Sequence, residues 1–310
     1  MISTANNNTK QLVILSGKGG TGKTSLAAAL VHLASCSEFK PVFVDADVDA
    51  ANLALVTDAQ PQETYPFVSS KLAEIDPEKC NLCHKCFEMC RYDAIALPSE
   101  ENPSYSVIDL LCDGCAACVY SCPESAIEMI EQQDGTWYRS SSSYGPLFHA
   151  ELFPGAENSG KLVTEIKQNA KRYAEDHHYP LMILDGPPGI GCPVIASSTG
   201  VDLAVLVAEP GLSGIHDLQR IIGTLKHFKI PIFIVINKAD LYPKGTQDIH
   251  SLSISENIQV IGQIPFDSSI PHAMVNGLPI SKYAPNVAAA LSINVIWLKI
   301  KGYLFEQPIK

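Results

Sequence analysis

The sequence predicts an α/β fold in which a doubly wound, mainly parallel sheet is interrupted by an inserted segment. Apolar runs of strand length alternate with helical stretches along most of the 310 residues, a pattern typical of parallel strands that are buried on both faces. The first apolar run ends in a glycine-rich turn, at 17–22, that leads directly into a helical stretch. Eight of the ten cysteines lie between residues 80 and 122, which marks this part of the chain as a separate segment.

The first strand, turn and helix form a phosphate-binding loop. Residues 11–15 are an apolar, β-prone run, residues 17–24 satisfy the pattern G-x4-G-K-[ST], and residues 26–30 continue as a helix. The glycines let backbone amides face phosphate oxygens, and the helix N-terminus adds the positive end of its dipole. We expect Lys23 to reach the β- and γ-phosphates of a nucleotide and the Thr24 hydroxyl to bind magnesium. The predicted nucleotide-binding residues of the loop are Gly17, Gly19, Gly20, Thr21, Gly22, Lys23, Thr24 and Ser25.

Acidic residues follow two later strands. Asp47 comes at the end of the apolar run that begins at residue 41, and Asp185 ends the run that begins at residue 181. Because ligand sites in α/β sheets lie at the carboxyl ends of the strands, we expect both carboxylates beside the phosphate loop, where they and Thr24 would bind Mg²⁺. The alternative for each aspartate is a turn or cap residue. Candidate supporting residues are Asp45, Asp49 and Asn52, and further buried strands are predicted at 203–208, 231–236 and 260–267.

Two lysines flank the phosphate loop, in the order Gly-Lys-Gly-Gly-Thr-Gly-Lys-Thr. This arrangement resembles the deviant Walker A motif of the superfamily that contains MinD, ParA, Mrp and the nitrogenase iron protein. The resemblance implies a MinD-like P-loop NTPase fold with ATP and Mg²⁺ as cofactors, and it covers most of the chain outside the cysteine segment. It also implies an ATP-dependent homodimer or paralogue heterodimer, in which Lys18 reaches the phosphates bound by the other subunit and stabilises developing charge. Lys18, Lys23 and Asp47, which by resemblance positions the attacking water, are the predicted catalytic residues.

The same resemblance implies a base-recognition segment. Asn237-Lys238-Ala239-Asp240 resembles the adenine-reading N-K-x-D segment of the family, so Asn237 is the expected contact to the base. The turn after the last strand contains Pro265, which we expect to form a wall of the purine site.

The cysteines form two runs of the same spacing. The pattern C-x2-C-x2-C-x3-C begins at Cys80 and again at Cys112. Each run resembles the pattern of bacterial two-cluster ferredoxins, in which the fourth cysteine ligates the other cluster. The resemblance therefore implies an inserted α+β ferredoxin-like domain that holds two [4Fe–4S] clusters. The implied ligands are Cys80, Cys83, Cys86 and Cys122 for the first cluster, and Cys112, Cys115, Cys118 and Cys90 for the second.

A zinc site and disulfide bonds are the alternatives for these cysteines. A four-ligand zinc site does not require a third cysteine at this short spacing, and disulfide bonds are typical of small secreted proteins. We therefore predict residues 1–64 and 141–310 as the ATPase domain and residues 65–140 as the inserted 2[4Fe–4S] ferredoxin domain, with a serine run at 140–143 at the junction. Arg91 follows Cys90 at a position where such ferredoxins usually have proline, whereas Pro123 follows Cys122. We expect the two clusters to differ in reduction potential as a result.

Composition limits the possible partners and location. The net charge is −11 at pH 7 and no basic stripe is present, so nucleic acid is an unfavourable partner. No signal peptide is evident, and no apolar run approaches the length of a membrane span. We expect the C-terminal helix, 287–300, to pack on the core, which makes a membrane contact unlikely. Reduced cysteines and oxygen-sensitive clusters predict a cytoplasmic protein.

Two cysteines lie outside the runs. Cys36 is expected to be a packing residue near the end of the first helix. Cys192 follows the Asp185 segment at a spacing comparable to that of a cluster ligand in the nitrogenase iron protein, but no second cysteine is evident to complete such a site. A structural or pocket thiol is the expected role of Cys192.

The combination of motifs predicts an iron–sulfur ATPase. We expect ATP-driven dimer switching to be coupled to electron transfer through two [4Fe–4S] clusters to an unidentified redox protein or metalloprotein. The alternatives are a metallocluster maturation ATPase and a redox-sensing regulator of MinD type. The maturation role is disfavoured because every closely spaced cysteine pair already belongs to the two runs.

Overall fold

The computed structural model describes residues 9–100 and 102–306, apart from the side chains of residues 212 and 213. The chain divides into two compact units. The sheet unit comprises Met1–Tyr65, Trp137–Glu151 and Ser159–Lys310, and the cysteine unit comprises Pro66–Thr136 and Leu152–Asn158. Compared with the predicted insertion at 65–140, residues 137–140 belong to the sheet unit and residues 152–158 join the cysteine unit.

Strands and helices alternate through most of the sheet unit, as the sequence predicts. The strands of the chain, in order, are β1 (Lys10–Ser16), β2 (Pro41–Asp45), β3 (Gln60–Ile75), β4 (Ile95–Ala96), β5 (Ser106–Val107), β6 (Ile127–Ser142), β7 (Gly145–Leu152), β8 (Leu181–Pro188), β9 (Leu203–Ala208), β10 (Ile232–Asn237) and β11 (Gln259–Ile264). The α-helices are α1 (Lys23–Ser35), α2 (Leu53–Val56), α3 (Lys85–Met89), α4 (Ala117–Ser121), α5 (Ser159–Asp176), α6 (Cys192–Ser198), α7 (Leu212–His227), α8 (Pro243–Ser255), α9 (Ser269–Val275), α10 (Ile280–Tyr283) and α11 (Ala288–Lys301). A 3₁₀-helix spans Asp109–Leu111, and a π-helix spans Gly302–Glu306.

One sheet of nine strands has the order β11-β10-β9-β1-β8-β2-β7-β6-β3. Strand β1 pairs in parallel with β8 on one side and β9 on the other, and parallel pairing continues from β9 to β11 and from β8 through β2 to β7. The predicted doubly wound, mostly parallel sheet is therefore confirmed. The chain runs from β1 towards β2 on one side and later returns to β9 on the other, so the carboxyl end of β1 lies at the switch point where α/β sheets bind ligands.

Strands β3, β6 and β7 are additions that the sequence analysis does not identify. Strand β3 is the last strand in the sheet order, and most of its residues in the segment 60–66 are exposed. A strand at a sheet edge needs no continuous apolar run, and such a run is the signal by which the buried strands were recognised.

The C-terminal helix α11 packs on the core, with Ile293, Ile296 and Trp297 buried. The expectation that no apolar run approaches the length of a membrane span is wrong, because Ala288–Glu306 has the length and composition of one, with a mean hydropathy of 1.3. The π-helix extends α11 with further apolar residues, which lengthens the segment beyond the predicted 287–300. A core helix of a soluble protein satisfies the same criterion, and 39% of this segment is buried.

The cysteine unit has a small core that is built partly from its cysteines. Cys86 and Cys118 are buried with Ala73, Ile95 and Ile127, and four further cysteines pack against this cluster. The antiparallel pair β4–β5 and the short helices α3 and α4, which contact each other, complete the unit.

Candidate functional site

The phosphate-binding loop joins the carboxyl end of β1 to the first turn of α1. The Ser16 hydroxyl donates to the carbonyl oxygen of Lys18 (2.7 Å), and Gly20 and Gly22 have left-handed φ values of 76° and 93°. A Cβ on Gly22 would lie 2.3 Å from Nδ2 of Asn237, so both the conformation and the space at this position require glycine. The loop thus has the glycine-dependent geometry that the motif predicts.

Lys23 and Asp47 lie close together beneath the loop. The Lys23 side chain is only 6% exposed, and its Nζ is 4.0 Å from Oδ2 of Asp47. Burial raises the pKa of Asp47, and the positive charge of Lys23 opposes this shift. Because this distance is long for an ion pair, the buried ammonium of Lys23 favours an additional anion. We expect phosphate oxygens to supply that negative charge.

Asp185 lies on β8, the strand next to β1. It is 1% exposed, and neither carboxylate oxygen has a hydrogen-bond partner among the described residues. Burial raises the pKa of Asp185, and Lys23 again opposes the shift. Because buried carboxylates are normally paired, two orphaned oxygens beside a phosphate loop fit a hydrated divalent cation, with Thr24 and Asp47 as the other predicted ligands.

Asp45 has a different environment from Asp185, although the two face each other in the β2–β8 register. Its carboxylate accepts hydrogen bonds from the backbone N–H groups of Asp47 (3.2 Å), Asn52 (2.9 Å) and Leu53 (2.9 Å). Asp45 therefore organises the loop that carries Asp47 and the start of α2. For Asp45 the alternative of a turn or cap residue is the better description.

Of the proposed base-recognition residues, Asn237 contacts the phosphate loop. Asn237 is buried, its Nδ2 donates to the carbonyl oxygen of Thr21 (2.8 Å), and its Oδ1 accepts from the backbone N–H of Lys238 (3.0 Å). Oδ1 of Asp240 accepts from the backbone N–H of Phe266 (2.6 Å), next to Pro265. The adenine contacts of Asn237 and Pro265 stay predictions, and Asn237 has a second role as a brace of the loop that sequence reasoning missed.

Lys18 is half-buried, and no salt bridge to it occurs among the described residues. The backbone N–H of Gly189, on the segment after Asp185, donates to the carbonyl oxygen of Ser16 (2.9 Å). Gly189 has a left-handed φ of 88°, and a Cβ there would meet no neighbour. This segment is therefore hydrogen-bonded to the end of β1 at a residue with unusual conformational freedom.

In the cysteine unit, the cysteines line two cavities. Each cavity takes three cysteines from one run and the fourth from the other. Cys80, Cys83, Cys86 and Cys122 line the first cavity, and Cys112, Cys115, Cys118 and Cys90 line the second.

The two runs have the same local geometry with an offset of 32 residues. The backbone N–H of Ala94 donates to Sγ of Cys90 (3.4 Å), and that of Ala126 donates to Sγ of Cys122 (3.3 Å). His84 and its equivalent Ala116 share a left-handed backbone, with φ values of 69° and 60°. Each run therefore has its first two cysteines on a loop, its third on a short helix and its fourth at the end of that helix.

The four-cysteine cavities fit a cluster better than a single ion. In the described part of the chain, no three His, Cys, Asp or Glu residues converge closely enough to hold one metal ion, and the cysteines are free thiols. A [4Fe–4S] cluster needs four thiolates distributed around a larger body, which is the arrangement that these cavities offer.

The cavities differ in the residues beside the cysteines. The first is also lined by His84 and Tyr105, whose Nδ1 and hydroxyl oxygen are 2.5 Å apart. At the second cavity the equivalent of His84 is Ala116, and Tyr92 and Asp113 are the polar neighbours. The environment of the first cavity therefore offers more hydrogen-bonding groups.

The two remaining cysteines are both exposed. Cys36 lies with its Sγ 3.6 Å from Nε2 of His32, so the expectation that it is a packing residue is wrong. Cys36 is exposed because it follows the last residue of α1, beyond the buried stretch of the helix at 26–31 and Ala34. Cys192 begins α6, next to Gly160.

Comparison with known proteins identifies the family. Residues 12–280 match the model of the CobQ/CobB/MinD/ParA nucleotide binding domain. An uncharacterized protein of Methanocaldococcus jannaschii is 34% identical over 294 residues, which are 95% of this chain and 97% of that protein. An iron-sulfur cluster carrier protein of Pyrococcus horikoshii is 22% identical over 293 residues, with 90% and 81% of the two chains covered.

The solved structures show the same fold. The septum site-determining protein MinD from Pyrococcus horikoshii, complexed with Mg-ADP, has a TM-score of 0.57 at 18% identity and covers 94% of this chain and 96% of its own. The residues matched by the family model, 12–280, include the phosphate loop, Asp47 and Asp185. The chain belongs to the CobQ/CobB/MinD/ParA nucleotide-binding family and has the MinD-like P-loop ATPase fold.

Proposed function

We propose that this protein is a Mg²⁺-dependent ATPase in which ATP-driven dimer switching is coupled to electron transfer through two [4Fe–4S] clusters to a partner protein. The observation that carries the proposal is the pair of four-cysteine cavities, each completed by a cysteine of the other run, on a chain of a nucleotide-binding family. A nucleotide site alone does not account for the cysteines of the two runs, and a pair of clusters alone does not require ATP.

Each residue of the proposed ATPase site in the sheet unit has its own role in ATP hydrolysis. Lys23 neutralises the β- and γ-phosphates, and Thr24 and Asp185 hold the magnesium ion. Asp47 accepts a hydrogen bond from the attacking water and orients it towards the γ-phosphate, while Lys18 stabilises charge on the nucleotide of the second subunit. After hydrolysis, the segments that follow Asp47 and Asp185 relax, and the dimer opens.

In the cysteine unit the thiolates supply the ligands and the backbone tunes them. When bound, a [4Fe–4S] cluster takes up and releases one electron at a time. The N–H groups of Ala94 and Ala126 donate to ligand sulfurs and lower their electron density, which raises the reduction potential. Because Cys90 and Cys122 each line the cavity of the other run, the two cluster sites are linked through the polypeptide chain.

A second candidate function is cluster assembly on other proteins. It is favoured by the likeness to iron-sulfur cluster carrier proteins, which extends over 90% of this chain. Against it, each of the eight clustered cysteines lines one of the two cavities, so no pair is left for a transferable cluster. Self-association with ATP and a cytoplasmic location are expected under either function.

Cluster retention separates the two functions. Anaerobically purified protein should contain about eight iron atoms per chain, as expected for two [4Fe–4S] clusters. On incubation with a cluster-free acceptor apoferredoxin and ATP, we expect the iron to stay with the protein. Transfer of iron to the acceptor, at a rate that depends on ATP, would instead establish the carrier function.

A further inference from the structure

The cysteine unit repeats its structure at an offset of 32 residues, and the segments that precede the two runs differ sharply. Glu78 and Lys79 precede Cys80, whereas Leu110 and Leu111 occupy the equivalent positions before Cys112. The two residues that precede the first run are therefore charged, and the two that precede the second run are apolar. Since the cysteine loops themselves match in geometry, this difference is not required to form the cavities.

The two leucines are exposed and directly precede Cys112 of the second cavity. Leu110 is 84% exposed and Leu111 is 47% exposed. Both lie on the 3₁₀-helix Asp109–Leu111, and the backbone N–H of Cys112 donates to the carbonyl oxygens of Ile108 and Asp109 (3.2 Å each). Leucines held in an exposed position by the local backbone contribute nothing to folding stability, because their surface stays in water.

The charge around these leucines is strongly negative. The cysteine unit has 14 Asp and Glu residues against 4 Lys and Arg, a net charge of −10, so the sheet unit carries only −1 of the total −11. Asp109 directly precedes the two leucines, and Asp113 follows them after Cys112. Two exposed basic residues lie near the second cavity, namely Arg91 beside Cys90 and Lys71, whose backbone lies against Gly114. Anionic lipids and nucleic acids are repelled by such a surface, whereas a basic protein surface is attracted.

We propose that Leu110 and Leu111, with Asp109 and Asp113 at their rim, form the docking surface for a redox partner protein. The partner has an apolar depression ringed by Lys and Arg residues, because apolar contact at the centre and opposite charges at the rim are what this surface can satisfy. Docking here brings the partner next to the second cluster site, so electrons leave through that site and the first site is the inner one. This inference rests on the proposed electron-transfer function and adds the exit site and the partner's surface chemistry.

The test uses the full-length, cluster-containing protein and cytochrome c, a small haem protein with a lysine-rimmed, partly apolar face, as a surrogate partner. Binding of oxidised cytochrome c is measured by calorimetry at low and at high ionic strength. In a separate assay, dithionite reduces the protein and the excess dithionite is removed by anaerobic desalting. One electron then passes from a reduced cluster to the haem, which changes from Fe(III) to Fe(II). A small neutral quinone serves as an acceptor that needs no docking surface.

The informative variant is Asp109→Asn with Leu110→Ser, both at exposed positions. We expect its Kd for cytochrome c to rise at least about fivefold at low salt, and its rate of haem reduction to fall in parallel. Its iron content and its rate with the quinone should be unchanged. The matched controls are Glu78→Gln, at the equivalent position before the first run, and Ile254→Ser, an equally exposed apolar residue of the sheet unit.

The outcomes separate this inference from the proposed function. Weaker binding by the docking variant alone supports the inference. Equal binding by the docking variant and wild type, or an equal loss in Glu78→Gln, overturns it even if the quinone is reduced normally. Failure of the reduced wild-type protein to reduce either acceptor overturns the electron-transfer function, and this inference with it.

Discussion

The sheet unit and the cysteine unit build their sites in opposite ways. In the sheet unit, Lys23, Asp47 and Asp185 come from distant parts of the chain and meet at the end of a sheet whose apolar core is complete without them. In the cysteine unit, Cys86 and Cys118 are themselves part of the small core. Substitution of a binding residue in the sheet unit should therefore weaken nucleotide binding and leave the fold intact. Substitution of a cysteine in the cysteine unit should weaken cluster binding and also destabilise the unit.

The largest effect is expected from Cys118→Ser. The substitution removes a ligand of the second cluster and places a hydroxyl among apolar neighbours, at a cost of about 1–3 kcal/mol if it stays unpaired. We expect roughly half of the iron to be lost, together with faster proteolysis of residues 66–136. Iron analysis and limited proteolysis provide the measurement, with exposed Cys36→Ser as the control. Full iron content in the Cys118→Ser protein would contradict the ligand assignment.

Lys23→Ala should affect binding without affecting structure. Loss of the buried ammonium that faces the phosphates is expected to weaken ATP binding by about 100-fold, while the cluster absorbance stays unchanged. Calorimetric titration with ATP measures the effect, and Lys40→Ala, at an exposed position of the same unit, is the control. Loss of the clusters in Lys23→Ala would show that the two units do not fold independently.

Protonation of the buried His149 should cost the sheet unit folding stability in acid. His149 is buried against Ser140, at 2.8 Å between Nε2 and the hydroxyl oxygen, and burial lowers its pKa to about 4. The unfolded chain takes up this proton near pH 6.5, so folding stability is lost as the pH falls from about 6.5 to 4, by roughly 2 kcal/mol at pH 5. His149→Gln should remove this loss in chemical denaturation at pH 7 and pH 5.

The matched control for this prediction is His177→Gln, at an exposed position of the same unit. It should keep the wild-type pH dependence. If His149→Gln loses as much stability between pH 7 and pH 5 as the wild type does, another group is responsible for the acid sensitivity.

Lys18→Ala should separate hydrolysis from binding. Because Lys18 has no salt bridge among the described residues and is proposed to act on the nucleotide of the other subunit, its removal should lower kcat by about tenfold or more and change the Kd for ATP little. Steady-state turnover and equilibrium binding are compared, again with Lys40→Ala. Normal turnover would count against an active site that is shared between subunits.

The smallest effect is expected within the cysteine unit, from Arg91→Pro. Arg91 is exposed next to Cys90, a residue of the second cavity, and its charge favours the reduced cluster. Its replacement by proline should narrow the gap between the two cluster potentials by some tens of millivolts, on the order of a tenfold change or less in the equilibrium for one electron. An EPR-monitored redox titration measures the gap, and equal potentials in the wild type would remove the basis of the prediction.

Sequence was sufficient where a pattern is local. The glycines of the phosphate loop, the lysines beside them and the parallel strands all follow from short motifs and apolar runs, and the structure has them at the predicted places. The bounds of the helices differ by a few residues, as with α1, which begins at Lys23 and not at residue 26. Fraying and capping decide such ends, and neither leaves a strong pattern.

Features that depend on tertiary contact were not predictable in this way. Asn237 braces the carbonyl of Thr21 from 216 residues away, and Lys167 is buried with its ammonium on the carbonyl oxygens of Ser197 and Thr199. Edge strand β3 has no apolar run to reveal it. In each case the residue type allows several roles, and only the neighbours supplied by the fold select one.

The coupling of the two units is tested most directly by the cluster potentials with and without a non-hydrolysable ATP analogue and Mg²⁺. The account predicts that the nucleotide shifts the potential or the EPR signal of at least one cluster in the wild type, and that Lys23→Ala abolishes this shift while keeping both clusters. Identical potentials and spectra with saturating analogue, in protein that binds it normally, would contradict ATP-coupled electron transfer.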